Sequence, residues 1–378
     1  MIDGGILGAP LFQPDITREQ VAEAAGESLK ELLALGEAAK PIEVMAKGCS
    51  EIAEGLYAEG KLDGIIAIGG ILGTTLGIAA MKRLPLWLPK LMVSAIGFSP
   101  FSPLLDPELR VKDLTVMPTV ADFSGLDNIT KTILQNASGA IAGMVETHEK
   151  TGPSQRPLID IITFGTVVCK QALWAKPLLE QKGYDVMVFE APENASEELV
   201  DQGLMRGTLD FVAGYMFINE LCGGAGNPGP MRFEARIKRG IPQVFSPGVA
   251  EVITWSEALG PLPQRFENRE IYRHGAMSIC IKASEEEMAA AGVMMAQKLN
   301  EMTGPTAMLI PTRGFSEWDK QGHMWYNPEG RKAFIEGLKK HIGPKVKVVE
   351  LDMHINDREF AEQAVTIFDE MMRGEYKA

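Results

Sequence analysis

Leu351 to Asp357 reads LDMHIND, and the spacing predicts a strand ending on Asp352 with His354, Asn356 and Asp357 at the entry of a helix. A histidine between two carboxylates can act as an acid or base near neutral pH. Ala307 to Asp319, AMLIPTRGFSEWD, has the same design: an apolar strand delivers Arg313, Gly314, Ser316 and Asp319 to its carboxyl edge. There Arg313 could hold an anion, and Asp319 could orient a base or a metal. His354, Asp319 and Asp357 are therefore the proton-transfer candidates, and Arg313, Gly314, Ser316 and Asn356 the candidates for fixing a substrate. Each has a plainer use. Asn and Asp cap helices, Ser caps turns, Asp319 can pair with Arg313 or Lys320, and a lone His is often just hydrogen-bonded in place.

A different chemistry is suggested by Gly64 to Thr75, GIIAIGGILGTT. A strand ends on Gly69-Gly70, the chain turns through Gly73, and Thr74-Thr75 fall in the first turn of a helix with hydroxyls free for a ligand. Helix N-termini offer unpaired N–H groups and partial positive charge, so Gly69, Gly70, Gly73, Thr74 and Thr75 are candidates for holding a phosphate or carboxylate. The tract is neither GxGxxG nor a Walker loop, and glycines that only let a helix pack closely on a strand are the alternative. Asp3, before Gly4-Gly5, and Ser94, at the end of another strand, could face the same crevice or serve as turn and cap residues. Glu220 precedes the run CGGAGNPGP, and RIKRGIPQVFSPG ends a strand on Ser246-Pro247-Gly248 with Glu251 just beyond. Loops this rich in Gly and Pro are costly to order, so Glu220, Gly248 and Glu251 join the substrate candidates, a plain surface excursion being the alternative.

All these residues sit where a strand hands over to a helix, which calls for open, mostly parallel sheets covered on both faces. The expected first domain, 1–150, runs through strands at Ile2 to Leu7, Gly64 to Gly70, Leu91 to Ala95 and Leu114 to Val120. A helix begun by a Thr17–Gln20 capping box carries Val21, Ala24, Ala25, Leu29 and Leu32 on one face. Another spans about Asn128 to Glu146, where Gly139 and Gly143 suggest close backbone packing. His148 to Arg156, HEKTGPSQR, is the best linker. The second domain, 155–378, has expected strands at Leu158 to Phe164, Val186 to Glu190, Phe211 to Gly214, Gln243 to Ser246, Ser278 to Lys282, Ala307 to Pro311 and Val346 to Leu351, taken as one larger sheet. Ser284 with Glu287 caps one intervening helix, and Asn327-Pro328 starts another. The fold class is α/β with two Rossmann-like domains.

At 378 residues the chain has room for two such domains. A net charge of −13 makes nucleic acid and anionic membrane poor partners, since both need a basic surface. The apolar stretch Gly64 to Met81 is broken by five glycines and does not read as a span. Cys49, Cys169, Cys222 and Cys280 lie far apart with no CxxC pair and no signal peptide, which suits reduced thiols in a cytoplasmic protein. No Cys or His spacing matches a zinc site and no serine elbow is visible, so no metal ligands are assigned.

Several tracts resemble a bacterial and fungal family that includes the N-terminal, ATP-binding, virus-inhibitory region of a tomato tobamovirus-resistance protein, the Tm-one-like family. They are IDGGILGAP at Ile2 to Pro10, DGIIAIGG and GTT within Asp63 to Thr75, LPKLMVS at Leu88 to Ser94, NASGAIAGM at Asn136 to Met144, RGIPQVFSPG at Arg239 to Gly248, GFSEWDKQG at Gly314 to Gly322 and HINDREFA at His354 to Ala361. The resemblance runs nearly end to end. It implies two Rossmann-like domains, a dimer and a nucleotide at the glycine-rich loops. Members often accompany a TIM-barrel protein similar to phosphoenolpyruvate-acting enzymes.

This chain departs from the pattern in four places. Members usually begin with one more strand and a Thr-x-Asp-Thr-Lys loop, so the first domain is expected to lack a β-α unit. A Ser-Thr-x-Ala-Ser-Gly loop is here SAIGFSPFSP, Ser94 to Pro103; a His-Ala-Thr-Gly-x-Gly-Gly loop is here EAPENAS, Glu190 to Ser196, with Glu190 and Glu193 where phosphate would be repelled; and a late His-Asn pattern becomes Arg273-His274-Gly275. The function expected from all this is ATP binding, with Mg²⁺ as its companion, in an enzyme or enzyme subunit that handles a small anionic carboxylate or phosphate metabolite. The chain would act as a homodimer or in an assembly with another subunit. The alternative is a non-catalytic binding or inhibitory protein, or a divergent subunit whose site a partner chain completes.

Overall fold

The computed structural model describes residues 1–6, 8, 10–35, 39–97, 113–123, 125–148, 155–165, 167–168, 170–191, 194–227, 229, 232–274 and 278–376. Cys169, Glu193, Gly275 and most of the SAIGFSPFSP and HEKTGPSQR tracts lie outside them. The chain divides into two compact units, Met1–Thr151 and Gly152–Ala378, each α/β with a parallel sheet.

In the first unit the order is α1 (Arg18–Ala24), α2 (Leu29–Ala34), α3 (Ala39–Ala58), β1 (Ile65–Gly69), α4 (Ile71–Lys82), β2 (Lys90–Ser94), β3 (Thr115–Pro118) and α5 (Asn128–Thr147). The strands pair in parallel in the order β1-β2-β3. α4 lies so close to the sheet that a Cβ at Gly77 would stand 2.4 Å from Ala67 Cβ, and one at Gly69 would stand 2.6 Å from Gly73 Cα. Glycines at 69, 73 and 77 thus remove the side chains that would hold helix and strands apart. On the opposite face Leu91 and Val93 pack with Ala137 of α5. β1 bonds only β2 among the described residues, and on that same face its Ile66 and Ile68 are 38% and 52% exposed. Lys90, from the LPKLMVS tract, is fully buried and donates to Leu88 O at 2.9 Å while pairing with Asp113, so its role is to tie the turn before β2.

Three expectations for this unit change. Ile2 makes a parallel bridge with Ile16 instead of opening a strand, because Gly4-Gly5 follow and the described residues offer it no neighbouring strand; Leu7 lies outside them. The helix opened by the Thr17–Gln20 box, which forms as expected, breaks at Gly26 (φ +85°) into α1 and α2. Gly139 and Gly143 meet nothing within 4 Å of an added Cβ, so the described residues place no backbone against them.

The second unit contains β4 (Leu158–Thr163), α6 (Lys170–Gln181), β5 (Asp185–Glu190), α7 (Ala195–Asp201), β6 (Met205–Asp210), α8 (Ala213–Cys222), α9 (Glu234–Arg239), β7 (Gln243–Phe245), β8 (Val252–Ser256), β9 (Ile271–His274), β10 (Ser278–Lys282), α10 (Glu285–Asn300), β11 (Thr306–Pro311), α11 (Pro328–His341), β12 (Val346–Leu351) and α12 (Arg358–Met372). Six strands form a parallel sheet in the order β12-β11-β7-β6-β4-β5, a doubly wound arrangement that reverses direction at β4. Two large apolar clusters pack on it, one with Phe360, Ala364 and Phe368 of α12, the other with Met288 and Met295 of α10 and Phe334 of α11.

The single larger sheet is corrected here: β10 belongs to a separate antiparallel sheet, β8-β10-β9. The expected strand at Phe211 to Gly214 is the turn into α8, and the true strand is β6, MRGTLD, just before it. β6 hides because polar Thr208 and Asp210 are buried in it beside Met205 and Leu209. Asp210 meets Arg232, and Arg236 of α9, itself fully buried, reaches Glu197 at 2.8 Å, Ser196 at 2.7 Å and Asp160 at 3.6 Å.

Candidate functional site

The loops that leave β4, β7, β11 and β12 converge at the carboxyl edge of the six-stranded sheet. Gly314 bridges to His354, and a Cβ there would stand 2.5 Å from His354 Cδ2, so only glycine lets the two loops touch. His354 is 4% exposed. Its Nε2 faces Ser316 O at 3.0 Å and its Nδ1 accepts from Asn356 N at 3.1 Å, which fixes the neutral tautomer with the proton on Nε2. Burial holds the imidazole below its ordinary value of 6.5. The His354 N–H donates to Asp357 Oδ2 at 2.8 Å, and Asn356 Nδ2 donates to Val167 O at 3.0 Å and to Glu317 Oε2 at 3.1 Å. In turn Glu317 N–H donates to Val167 O at 3.0 Å, drawing in the loop after β4.

Below this layer lies a buried acid pair. Glu251, Ser316 and Asp319 are fully buried, and the Ser316 hydroxyl donates to Glu251 Oε1. Asp319 accepts from Phe315 N at 3.0 Å, from Asn327 N at 2.8 Å and from Arg331 Nη1. The backbone that delivers Glu251 is strained: Val249, β-branched and buried, has φ +61°, and Gly248 lies where a Cβ would be 2.2 Å from Phe211 O. Two carboxyls share one guanidinium, so one of them keeps its proton. Burial raises both, and Asp319, with Arg331 and two N–H donors, is the one that ionises. Glu251 is pushed up to about 8 by burial first and by Asp319 second.

Between its ordinary 4.5 and about 8, Glu251 is protonated when folded and ionised when unfolded, so stability falls as pH rises through that window. Glu251→Gln mimics the protonated acid. It should flatten the decline and gain stability on the order of a few kcal/mol at pH 8, read as denaturation midpoints at pH 5, 7 and 8.5.

What faces outward differs from what the sequence suggested. Arg313 is exposed and clasps exposed Asp352 at 2.8 Å. The accessible groups are Glu317, Lys170 at the start of α6, Lys320 and His323, with separations from Glu317 of 3.7, 4.0 and 3.9 Å. Although partial burial works the other way, Asn356, Lys170 and Lys320 hold Glu317 below the usual carboxylate range. Trp318 stands beside them, 5.1 Å from the Tyr272 ring and 5.0 Å from that of Trp325. Glu220 is exposed in the last turn of α8, about 10 Å along the helix from its start at the sheet edge.

In the first unit Gly70 is the N-cap of α4, has no side-chain cap, and has open space where a Cβ would be. Thr74 N–H makes the first bond of the helix ladder, to Gly70 O at 2.8 Å, leaving the N–H groups before it as the ones a helix cannot satisfy internally. The threonine hydroxyls expected to be free are committed: Thr74 Oγ1 bonds buried Ser94 Oγ at 2.9 Å, and Thr75 Oγ1 donates back to Ile71 O at 3.0 Å. The fourth residue of a helix lying on a sheet turns inward, and Ser94 ends the adjacent strand. Asp3 is likewise committed, to Arg18 at 2.7 and 2.8 Å and to Gly5 N at 2.9 Å, in a groove of about 360 Å³ beside Pro14 and Thr17.

Among the described residues, no group of three or more His, Cys, Asp or Glu could hold a metal ion, and no helix is long and apolar enough to cross a membrane. The cysteines 49, 222 and 280 are free and buried, and burial raises each thiol, to about 11 for Cys49 and Cys280 and about 12 for Cys222.

The profile of the Uncharacterised protein family (UPF0261) N-terminal domain matches residues 1–150, and that of its C-terminal domain matches residues 156–372. A UPF0261 protein of Clostridium tetani is 34% identical over 365 residues, 96% of this chain and 89% of the relative. One from Brucella melitensis is 33% identical over 98% of this chain and 88% of its own length. The tomato ToMV resistance protein Tm-1(GCR237) is a more distant homologue, 29% identical over 87% of this chain and 44% of its own length. With both domain profiles matched in sequence order, the chain belongs to the UPF0261 family.

Proposed function

We propose that the chain binds a nucleotide, ATP with Mg²⁺ in the reading favoured by its tomato resemblance, with the phosphates at the start of α4, and that it acts as an enzyme or enzyme subunit on a small anionic metabolite. One observation carries this: α4 begins on an uncapped glycine at the carboxyl end of β1, with room beside it and the half-exposed apolar side chains of Ile71 and Leu72 next to it. Bare N–H groups suit phosphate, and an apolar neighbour suits a base. Gly69, Gly73, Thr74 and Ser94 serve by shaping that start.

In the second unit the metabolite would meet Lys170, Glu317, Lys320 and His323. On this reading His354, Asp319 and Asp357, with Ser316, Glu251, Asn356, Gly248 and Gly314, hold the loop that presents them. Isothermal titration of MgATP into the isolated chain tests the proposal; micromolar binding is expected, and an absence of heat rejects it.

A second reading has its own support. Among the described residues β1 has an unpaired edge and a partly exposed apolar face, an arrangement rare in parallel sheets. On that reading a homodimer contact or another subunit completes the first unit's site, and the isolated chain binds nucleotide only once assembled. Light scattering run alongside the titration separates the two.

A further inference from the structure

We infer that the groove beside α11 is a second ligand site, one that takes a small polyanion bearing two or more phosphate or carboxylate groups. The groove measures about 630 Å³ and is walled by Thr312, Arg331, Lys332, Ile335, Glu336 and Lys340. That volume falls within the roughly 300–1,000 Å³ typical of small-molecule pockets.

Its lining sets four basic residues, Arg331, Lys332, Lys339 and Lys340, against two acids, Glu336 and Glu350, in a chain whose net charge is −13. Lys339 is already committed to Glu350. Lys332 and Lys340 form no ion pair among the described residues, although Glu336 lies four positions from each on the same helical face. Arg331 is 4% exposed, turns Nη1 onto Asp319, lies over the Tyr326 ring and is among the residues that line the groove. A guanidinium fixed by a buried carboxylate is a pre-positioned anion contact, because its orientation is set before the ligand arrives.

The spacing selects the ligand. Lys332 and Lys340 are eight residues apart on one helix, about 12 Å along its axis. A single phosphate cannot serve both without bending the two stems together, whereas a compound with separated anionic groups meets each where it stands. Half-buried Ile335 lies between them and suits a carbon linker. The site lies within the second unit and does not depend on the nucleotide reading at α4.

The test is titration calorimetry and thermal unfolding of the full chain with inorganic pyrophosphate, tripolyphosphate, citrate and orthophosphate at constant ionic strength. The polyanions are expected to bind and raise Tm, and orthophosphate to bind at least tenfold more weakly. The double variant Lys332→Ala/Lys340→Ala should keep the unliganded Tm and lose at least tenfold in polyanion affinity. Gly70→Asp, which removes any contribution from the start of α4, should keep the part of the binding that the double variant loses. No binding by the wild type, equal binding by the double variant, or loss of that part of the binding in Gly70→Asp would overturn the assignment.

Discussion

Arg331→Met lowers the unfolding free energy by about 3–5 kcal/mol at neutral pH, the usual cost of stripping the partner from a buried carboxylate. Met fills similar space beside Phe334 and Leu338 on the inward face of α11, so the loss is electrostatic and not a cavity. It leaves Asp319 and Glu251 buried with no cation. Both then hold protons in the fold, and the deficit shrinks as pH falls toward 4, where the unfolded chain is protonated as well. Chemical denaturation at pH 4.5 and pH 7.5 reads this directly. A loss that is the same at both pH values would mean that Arg331 acts by packing alone.

Gly314→Ala is expected to cost about 3 kcal/mol and to disorganise the outward-facing cluster. The new methyl would stand 2.5 Å from His354 Cδ2, 2.7 Å from Nε2 and 2.8 Å from Asp319 O, and none of these is the free end of a flexible chain. The imidazole must tilt away and lose Ser316 O. Since burial is what holds His354 below 6.5, the displaced ring should titrate closer to that value. Proton NMR of the histidine ring across pH 5–8 would show it, and an unchanged titration would contradict the placement of Gly314 beneath the ring.

How far the sequence reveals this arrangement depends on the chemistry of each segment. GIIAIGGILGTT gives up β1 and α4 because a β-branched run changes at two glycines to helical spacing. The capping boxes at Thr17 and Ser284 need only local bonds and form as read. β6 resists because Asp210 is buried through long-range pairing with Arg232 and with Arg236 of α9, so its polar letters mimic a turn. The same applies to the site. LDMHIND and GFSEWD mark two loops that meet at the sheet edge, yet type and spacing cannot say which side chains turn inward. Arg331 is invisible from the Asp319 tract, being twelve residues on, although it shares the 331, 334, 335, 338 stripe with apolar residues, a position where a charge needs a buried partner. Nothing in the sequence distinguishes Glu317 between Ser316 and Asp319, since its cations Lys170 and His323 come from elsewhere in the chain.

Whether the uncapped start of α4 holds nucleotide phosphate, as proposed, is read from titration of MgATP into Gly70→Asp beside the wild type. Gly70 has φ −78° and free space at its Cβ, so the substitution fits without strain. Aspartate is a preferred N-cap, and its carboxylate would occupy the N–H groups a phosphate needs while adding negative charge. The variant should be as stable as the wild type or more so by about a few tenths of a kcal/mol, with MgATP affinity reduced at least tenfold. Equal affinity in the two proteins would contradict it.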